Sequence, residues 1–306
     1  MKPANIAVLL TCYNRREKTL ECLQALHQQT IPEACQLHVY LVDDGSTDGT
    51  AEAVQNCYPD VSIRKGDGSL FWNGGMRCAF HAAEEIDPDY YLWLNDDTVL
   101  DPSALTTLLN SLAELNSQGS DRAIVVGSTL DPDTHIPTYG GVKQTYWWHP
   151  VKFHYIEPDP KQVKGCDTFH GNCVLVPRLV ANLVGNLSAA YTHNLGDYDY
   201  GLRARRQGCT LWMAPGYVGT CSGNPHVARM VQADLMGSSW QKLDRPKGFA
   251  LADVTLHSPK EWKDFCQENS GLLWYLYWLF PYRRLLWLQM VKQLSFRRAN
   301  KSRVDS

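Results

Sequence analysis

Neither G-x-G-x-x-G nor G-x-x-x-x-G-K-[ST] follows the first apolar run of this 306-residue sequence. A dinucleotide fold and a P-loop therefore lack support, and any nucleotide must be held by another route. The ten cysteines include no C-x-x-C pair and no other metal-ligand spacing. Several sit in apolar or helical patterns, where free cysteine behaves as a small hydrophobe, and a reducing cytoplasm is the simpler setting. No apolar stretch reaches the roughly 18 residues of a spanning helix. The run Ile6–Leu10 follows a single lysine and lacks a small-residue cleavage site, so no signal peptide is expected. A net charge of −3 gives no pointer to nucleic acid, and there is no internal repeat or low-complexity segment.

What is present is organised around Tyr90-Tyr91-Leu92-Trp93-Leu94-Asn95-Asp96-Asp97-Thr98. A short apolar run of this kind fits a strand buried on both faces, and its polar cluster then falls at the C-terminal edge, where open α/β sheets bind ligands. Two adjacent acids there suit Mg²⁺ or Mn²⁺, which favour one or two carboxylates plus substrate phosphates. An Asp-rich turn is the plain alternative. Upstream, strands are expected at residues 6–10, 37–42 and 61–64, and helices at residues 16–29, after Asp48 and at residues 78–86. Between the third strand and the third helix lies the glycine-rich stretch Gly66–Arg77. This strand–helix alternation implies an α/β fold with a mostly parallel, doubly wound sheet and helices on both faces. Downstream come a helix over residues 101–115, a strand over 123–128, aromatic loops over 131–165, a strand over 171–178, and a helix entered by Gly196-Asp197-Tyr198-Asp199.

In that order the motifs resemble those of the family 2 glycosyltransferases, over residues 5–225. Thr11-Cys12-Tyr13-Asn14-Arg15 is similar to T-x-Y-N-[RK], and Val42-Asp43-Asp44-Gly45-Ser46-Thr47-Asp48 to V-D-D-G-S-x-D. Leu94-Asn95-Asp96-Asp97 stands where that family has D-x-D, and Gly196-Asp197-Tyr198-Asp199 where it has E-D-x-D. The resemblance implies a GT-A fold and an inverting, metal-dependent sugar transfer from a nucleotide-diphosphate donor. It implies a nucleotide-sugar-binding half over residues 1–100 and an acceptor-binding, catalytic half over residues 101–230.

By the same resemblance Thr11, Tyr13 and Arg15 border the nucleotide, and Asp44 accepts a hydrogen bond from the base. An acceptor-only carboxylate suits a pyrimidine imide, hence a UDP- or dTDP-sugar; capping of the following helix is the other role open to Asp44. Asp97 is placed on the metal (Mg²⁺ or Mn²⁺), with Asn95 in the first acid's position and Asp96 nearer the ribose. Asp67 and Arg77 are placed near the donor, Arg77 either facing the diphosphate or lying on the surface at a helix start. Asp197 is implied as the catalytic base, with helix capping as its alternative. Asp199 either compensates for the acid replaced by Gly196 or pairs with Arg203 at i+4. A third metal ligand falls at Cys221 by position, where thiolate suits Mg²⁺ poorly, or at His226 nearby. Trp72, Trp147 and Trp148 either stack on sugars, the last two on the acceptor side, or belong to the core.

Residues 231–306 are expected to form a helical, basic and aromatic extension. Gly271–Phe280 is strongly apolar, and Pro281–Ser306 carries seven Lys/Arg against one acid. That asymmetry suits a helix on an anionic membrane face; packing on the body or on a second subunit is the alternative. The expected function is extension of a lipid-linked surface polysaccharide by a peripheral enzyme at the inner face of the cytoplasmic membrane. The second reading, suggested by Gly196 and Asn95, is a catalytically inactive sugar-nucleotide-binding partner subunit.

Overall fold

A computed structural model of the chain describes residues 4–32, 35–223 and 258–280. The first half alternates β1 (Ala4–Cys12), α1 (Arg16–His27), β2 (Cys35–Asp43), α2 (Thr50–Cys57), β3 (Ser62–Lys65), α3 (Phe71–Ala83) and β4 (Tyr90–Leu94). A short β5 (Thr98–Leu100), α4 (Ala104–Ser117), β6 (Ala123–Val126) and β7 (Thr129–Leu130) follow. Next come β8 (Gly141–Tyr146), β9 (His149–Tyr155), β10 (Lys164–Gly165), β11 (Thr168–Phe169), β12 (Cys173–Pro177) and α5 (Arg178–Val184). The series continues with α6 (Gly196–Arg206), β13 (Thr210–Met213), β14 (Gly219–Cys221), α7 (Pro259–Asn269) and α8 (Trp274–Leu279).

Eight strands form the main sheet, in the order β10-β13-β6-β12-β4-β1-β2-β3. β1 pairs in parallel with both β2 and β4, β2 with β3, and β13 with β6, while β12 runs antiparallel between β4 and β6. The chain steps outward from β1 through β2 to β3, then returns to lay β4 on the opposite side of β1. The strand order therefore reverses between β1 and β4, the switch point where doubly wound sheets open a crevice for ligands. β12 enters the sheet beside the C-terminal end of β4, with Cys173 opposite Leu94. The residues just before β12 thus reach the same edge.

Burial on both faces explains the unbroken apolar runs. Ile6, Val8 and Leu10 pack into one core with Leu23, Leu26, Leu92, Leu94 and Leu105. Ala7 and Leu9 pack into the other with Met76, Phe80, Trp93, Phe169 and Tyr200. Trp93 is fully buried and meets Tyr200, Phe169 and Trp72 edge-on at centroid distances of 4.8, 6.0 and 6.3 Å. Such aromatic pairs favour T-shaped geometry and add stability beyond the buried area.

The structure departs from the sequence expectation at two places. The third helix begins at Phe71, inside the glycine-rich stretch, because Gly74 and Gly75 sit on its inner turns against Leu70 and Thr11. The stretch expected to be loops holds the strands β8 and β9, in a small sheet with β11.

The chain divides into two compact units, residues 1–145 with 153–228, and residues 146–152 with 229–306. In the second unit α7 starts at a cap in which Ser258 accepts the Glu261 amide at 3.1 Å, with proline in the first turn. Tyr277 on α8 donates its hydroxyl to the Trp148 carbonyl, and Trp148 stacks on Tyr146 at 5.3 Å. Leu272, Leu276 and Leu279 remain 94%, 45% and 48% exposed. Among the described residues no helix is long and apolar enough to cross a membrane. The expected helices over 281–298 lie outside the described residues.

Candidate active site

The ends of β1 and β2 are laced together by polar side chains. Asn14 accepts the Thr47 amide at 2.7 Å and donates its own amide to Ser46 Oγ at 2.9 Å. The Arg16 amide donates to Asp48, and the Asp44 amide to the Cys12 carbonyl. Asn14 takes a left-handed φ of 50°, a conformation that asparagine tolerates better than most residues. This lacing presents Tyr13 and Arg15 at the surface, Tyr13 being 55% exposed, while Thr11 is buried against α3 at Gly75.

Asp44 is buried and does not cap a helix. One carboxylate oxygen accepts the Gly68 amide at 2.9 Å and the other the Phe71 amide at 2.8 Å. The acid therefore braces the turn that opens α3, and α2 starts instead with Asp48 accepting the Thr50 amide. Phe71 sits at φ 52°, an uncommon value for a bulky residue, and its ring is half exposed beside His193. Asp67 folds back on Ser69, whose amide and hydroxyl it accepts, and these bonds hold its pKa below the usual value. Arg77 donates Nε to the Leu187 carbonyl at 3.1 Å, and Asn186 donates to the Arg77 carbonyl. Arg77 thus ties α3 to the 186–187 turn.

At the end of β4 the three polar residues have distinct tasks. Asn95 accepts the Trp72 indole N–H at 2.7 Å, and its backbone amide donates to the Asn172 carbonyl at 3.0 Å. Asp96 is 5% exposed, and burial pushes its pKa up to about 7, against the opposing pull of Arg15. A single guanidinium nitrogen of Arg15 spans Asp96 Oδ1 at 3.1 Å and Asp97 Oδ2 at 2.9 Å. Among the described residues Asp96 Oδ2 has no hydrogen-bond partner. Asp97 Oδ1 accepts the weak Cys221 S–H at 3.3 Å, and burial raises that thiol's pKa to about 12.

Asp97 Oδ1, engaged only by a weak S–H donor, is an oxygen of the right chemistry for a hard cation that completes its shell on a diphosphate. The Asp96 oxygen is enclosed, so the donor set is incomplete. A protonated thiol adds no good ligand for Mg²⁺. Among the described residues no group of three or more His, Cys, Asp or Glu side chains converges on a metal position. His226 lies outside the described residues.

Trp72 joins this acidic pair to the second one. Its indole edge closes over Gly171, where a Cβ would strike the ring, and that same Cβ would lie 3.4 Å from the Asp197 Cβ. Asp197 accepts the Gly171 amide at 3.0 Å and the Tyr198 amide at 2.8 Å. It sits in the first turn of α6 and does not cap it, since the preceding cap residue is Leu195 in the left-handed region, φ 70°. The residue is half-buried; desolvation raises its pKa, opposed by the nearby His170. In its neutral form His170 places Nδ1 3.0 Å from the Gly140 carbonyl and 3.3 Å from the Gly140 amide, and Nε2 3.1 Å from the Tyr198 hydroxyl, with the tautomer setting which atom donates. Burial lowers its pKa and favours this neutral form.

Position 196 has no room for a side chain. A Cβ there would overlap the Asn73 amide oxygen, because Asn73 is fully buried and donates to the Ser188 and Tyr191 carbonyls at 2.8 and 2.7 Å. Asp199 makes the i+4 pair with Arg203 at 2.8 Å. It is fully buried, and Arg203 also ties down the Val184 and Asn186 carbonyls. Trp148 packs within the second unit, close to Phe280 at 6.3 Å, and Trp147 is 92% exposed there. His170 escapes sequence reading; the only signal is its position immediately before Gly171-Asn172 and β12.

The sequence and the fold are matched by known proteins. The pattern of glycosyl transferase family 2 covers residues 7–179, and the chain belongs to that family. It is a glycosyltransferase with the GT-A fold. No curated protein matches the sequence. Two solved structures share the fold at 14% identity over 86% of this chain. One is S. aureus TarS, at a TM-score of 0.53, and the other TarS 1–349 in complex with UDP, at 0.52. The aligned region spans 49% of the longer TarS chain and 80% of the shorter.

Proposed function

We propose that this glycosyltransferase moves a sugar, with inversion, from a UDP- or dTDP-sugar to a saccharide acceptor in lipid-linked surface-polysaccharide synthesis. The observation that carries the reading is the line of contact from Asp96 and Asp97 through Asn95 and Trp72 to Asp197. It sets a candidate diphosphate site and a candidate base on two sides of one indole.

In this reading Thr11 and Tyr13 border the base, and Asp44 shapes its cradle through Gly68 and Phe71. Asp97 would hold Mg²⁺ or Mn²⁺, with Asp96 beside it nearer the ribose. The cation, when bound, supplies the positive charge that stabilises the departing diphosphate. Asp197 takes the proton from the acceptor hydroxyl as that oxygen forms its bond to the anomeric carbon. The bond from that carbon to the diphosphate oxygen breaks on the opposite face, and the electron pair leaves with the nucleoside diphosphate. A pKa raised by burial makes Asp197 a stronger base than a surface carboxylate. The Gly171 and Tyr198 amides keep the carboxylate oriented.

Incubation with Mn²⁺ and a panel of UDP-, dTDP-, GDP- and CDP-sugars tests the assignment. The expected result is nucleoside diphosphate release and a glycosylated product with a uridine or thymidine donor. Pyrophosphate release would indicate nucleotidyl transfer instead, and binding without turnover across a broad acceptor panel would favour the inactive partner subunit.

The exposed leucines of the second unit and the basic residues 283–303 also support peripheral attachment to an anionic membrane. Each basic residue near such a surface contributes about 1 kcal/mol, screened by salt. Co-sedimentation of the full chain with anionic vesicles should therefore fall, without vanishing, as salt rises. Equal binding to neutral and anionic vesicles would contradict the electrostatic part.

A further inference from the structure

Arg15 stands between Asp97, which the proposed reaction reserves for a cation, and the neighbouring Asp96. Its one Nη1 spans both, at 3.1 and 2.9 Å, and among the described residues these are the ion pairs that the two acids make. Two adjacent carboxylates repel each other, and a cation held between them offsets that repulsion. Lys18 adds only a weaker field on Asp96. A guanidinium does not lose its proton in a protein, so the charge it brings is permanent. The two acids are thus already neutralised in large part before any ligand arrives.

The arrangement is also easy to undo. The Arg15 side chain is 49% exposed and projects from the surface loop that follows β1. Of the oxygens it does not engage, Asp96 Oδ2 is enclosed and unpartnered among the described residues, and Asp97 Oδ1 meets a thiol. A divalent cation on Asp97 would lie close to the guanidinium, and the two positive charges would repel. A nucleoside diphosphate removes the conflict. It gives the cation phosphate oxygens and gives the displaced guanidinium a bidentate anion in place of the carboxylates.

We infer that Arg15 is the resident counter-cation of the Asp96–Asp97 pair, displaced onto the donor diphosphate when the metal enters, so that metal binds well only together with nucleotide. The inference rests on the reading of Asp96 and Asp97 as the metal–diphosphate site. Arg15 acts as a positioning and ordering residue: it bridges the two acids when the site is free, and contacts the diphosphate when it is filled.

The test separates metal from nucleotide. Mn²⁺ binding to the full chain is followed by electron paramagnetic resonance without nucleotide, and UDP binding by calorimetry with and without Mn²⁺, for wild type, Arg15→Gln and Arg15→Lys. Circular dichroism and thermal melting confirm folding. Arg15→Gln should bind Mn²⁺ alone about tenfold more tightly, because the competing charge is gone, yet bind UDP in the presence of Mn²⁺ about tenfold more weakly. Arg15→Lys, a point charge without the planar fork, should fall between wild type and Arg15→Gln in both measurements.

Opposite signs for the two affinities are the signature. If Arg15→Gln weakens or leaves unchanged the binding of Mn²⁺ alone, the counter-cation role is wrong. A variant that does not fold shifts the decision to Arg15→Lys, whose Mn²⁺ affinity must then exceed that of wild type. If UDP binds to no form while Arg15→Gln still tightens Mn²⁺, the donor assignment fails and the competition between Arg15 and metal stands.

Discussion

Asp197→Asn is expected to reduce transfer by about 10²-fold or more, the scale of losing a general base, while leaving donor binding nearly intact. The amide is isosteric and retains an acceptor for one of the two backbone amides, Gly171 and Tyr198, that Asp197 now holds. The fold around α6 should survive, because its buried ion pair, Asp199 with Arg203, is untouched. What is lost is the lone pair that takes the acceptor's proton. Burial raises the Asp197 pKa, so the deprotonated, active form should accumulate only above the usual carboxylate range. Transfer by wild type should therefore rise with pH through that shifted value, and the variant should lack this limb. Kinetic measurement across pH checks both statements. Wild-type rates in Asp197→Asn would remove the assignment.

Asp44→Asn is expected to destabilise the first unit by about 2–4 kcal/mol, since charge-assisted hydrogen bonds are worth about 1.5–3 kcal/mol each. Asp44 holds two backbone amides, Gly68 and Phe71, one on each oxygen, and is 3% exposed. An asparagine amide can accept from one of them and must set its own N–H against the other. For a unit of this size the melting temperature should fall by about 5–12 °C. Binding of a nucleoside diphosphate should weaken as well, because the turn that opens α3 loses its anchor. Thermal melting distinguishes this from a residue that only touches the base, whose amide variant would lose nucleotide affinity at an unchanged melting temperature.

Much of the fold is legible in the sequence because apolar patterning coincides with burial. Ile6–Leu10 and Tyr90–Leu94 are continuous apolar runs since both faces of the sheet are covered, and each ends in a polar cluster at the switch point. Asp97 and Asp197 can be singled out because motif order places them at strand and helix ends. The neighbours that define their chemistry cannot. Asp44 reads as a base contact or a cap, and its role as a brace depends on the Gly68 and Phe71 amides, 24 and 27 residues further on, a fold-back that no local pattern records.

Asp199 and Arg203 are visible as an i, i+4 pair, but only packing decides that the pair forms on α6 with Asp199 fully buried. Arg77 is committed to a turn 110 residues away, and His170 stays hidden because its partners, Gly140 and Tyr198, come from distant segments. The steric conflict between Asn73 and any side chain at position 196 likewise joins residues far apart in sequence. Motifs locate the acids; tertiary contacts assign their work.

The most direct measurement of the central claim is a crystal structure of the Asp197→Asn protein with Mn²⁺ and the intact nucleotide sugar selected by the donor panel. The account predicts the diphosphate at the end of β4, with Mn²⁺ on Asp97, Arg15 turned from the acids to the phosphates, and the anomeric carbon open toward residue 197. A nucleotide bound away from Asp96 and Asp97, or a sugar whose reactive face is turned from residue 197, would contradict it.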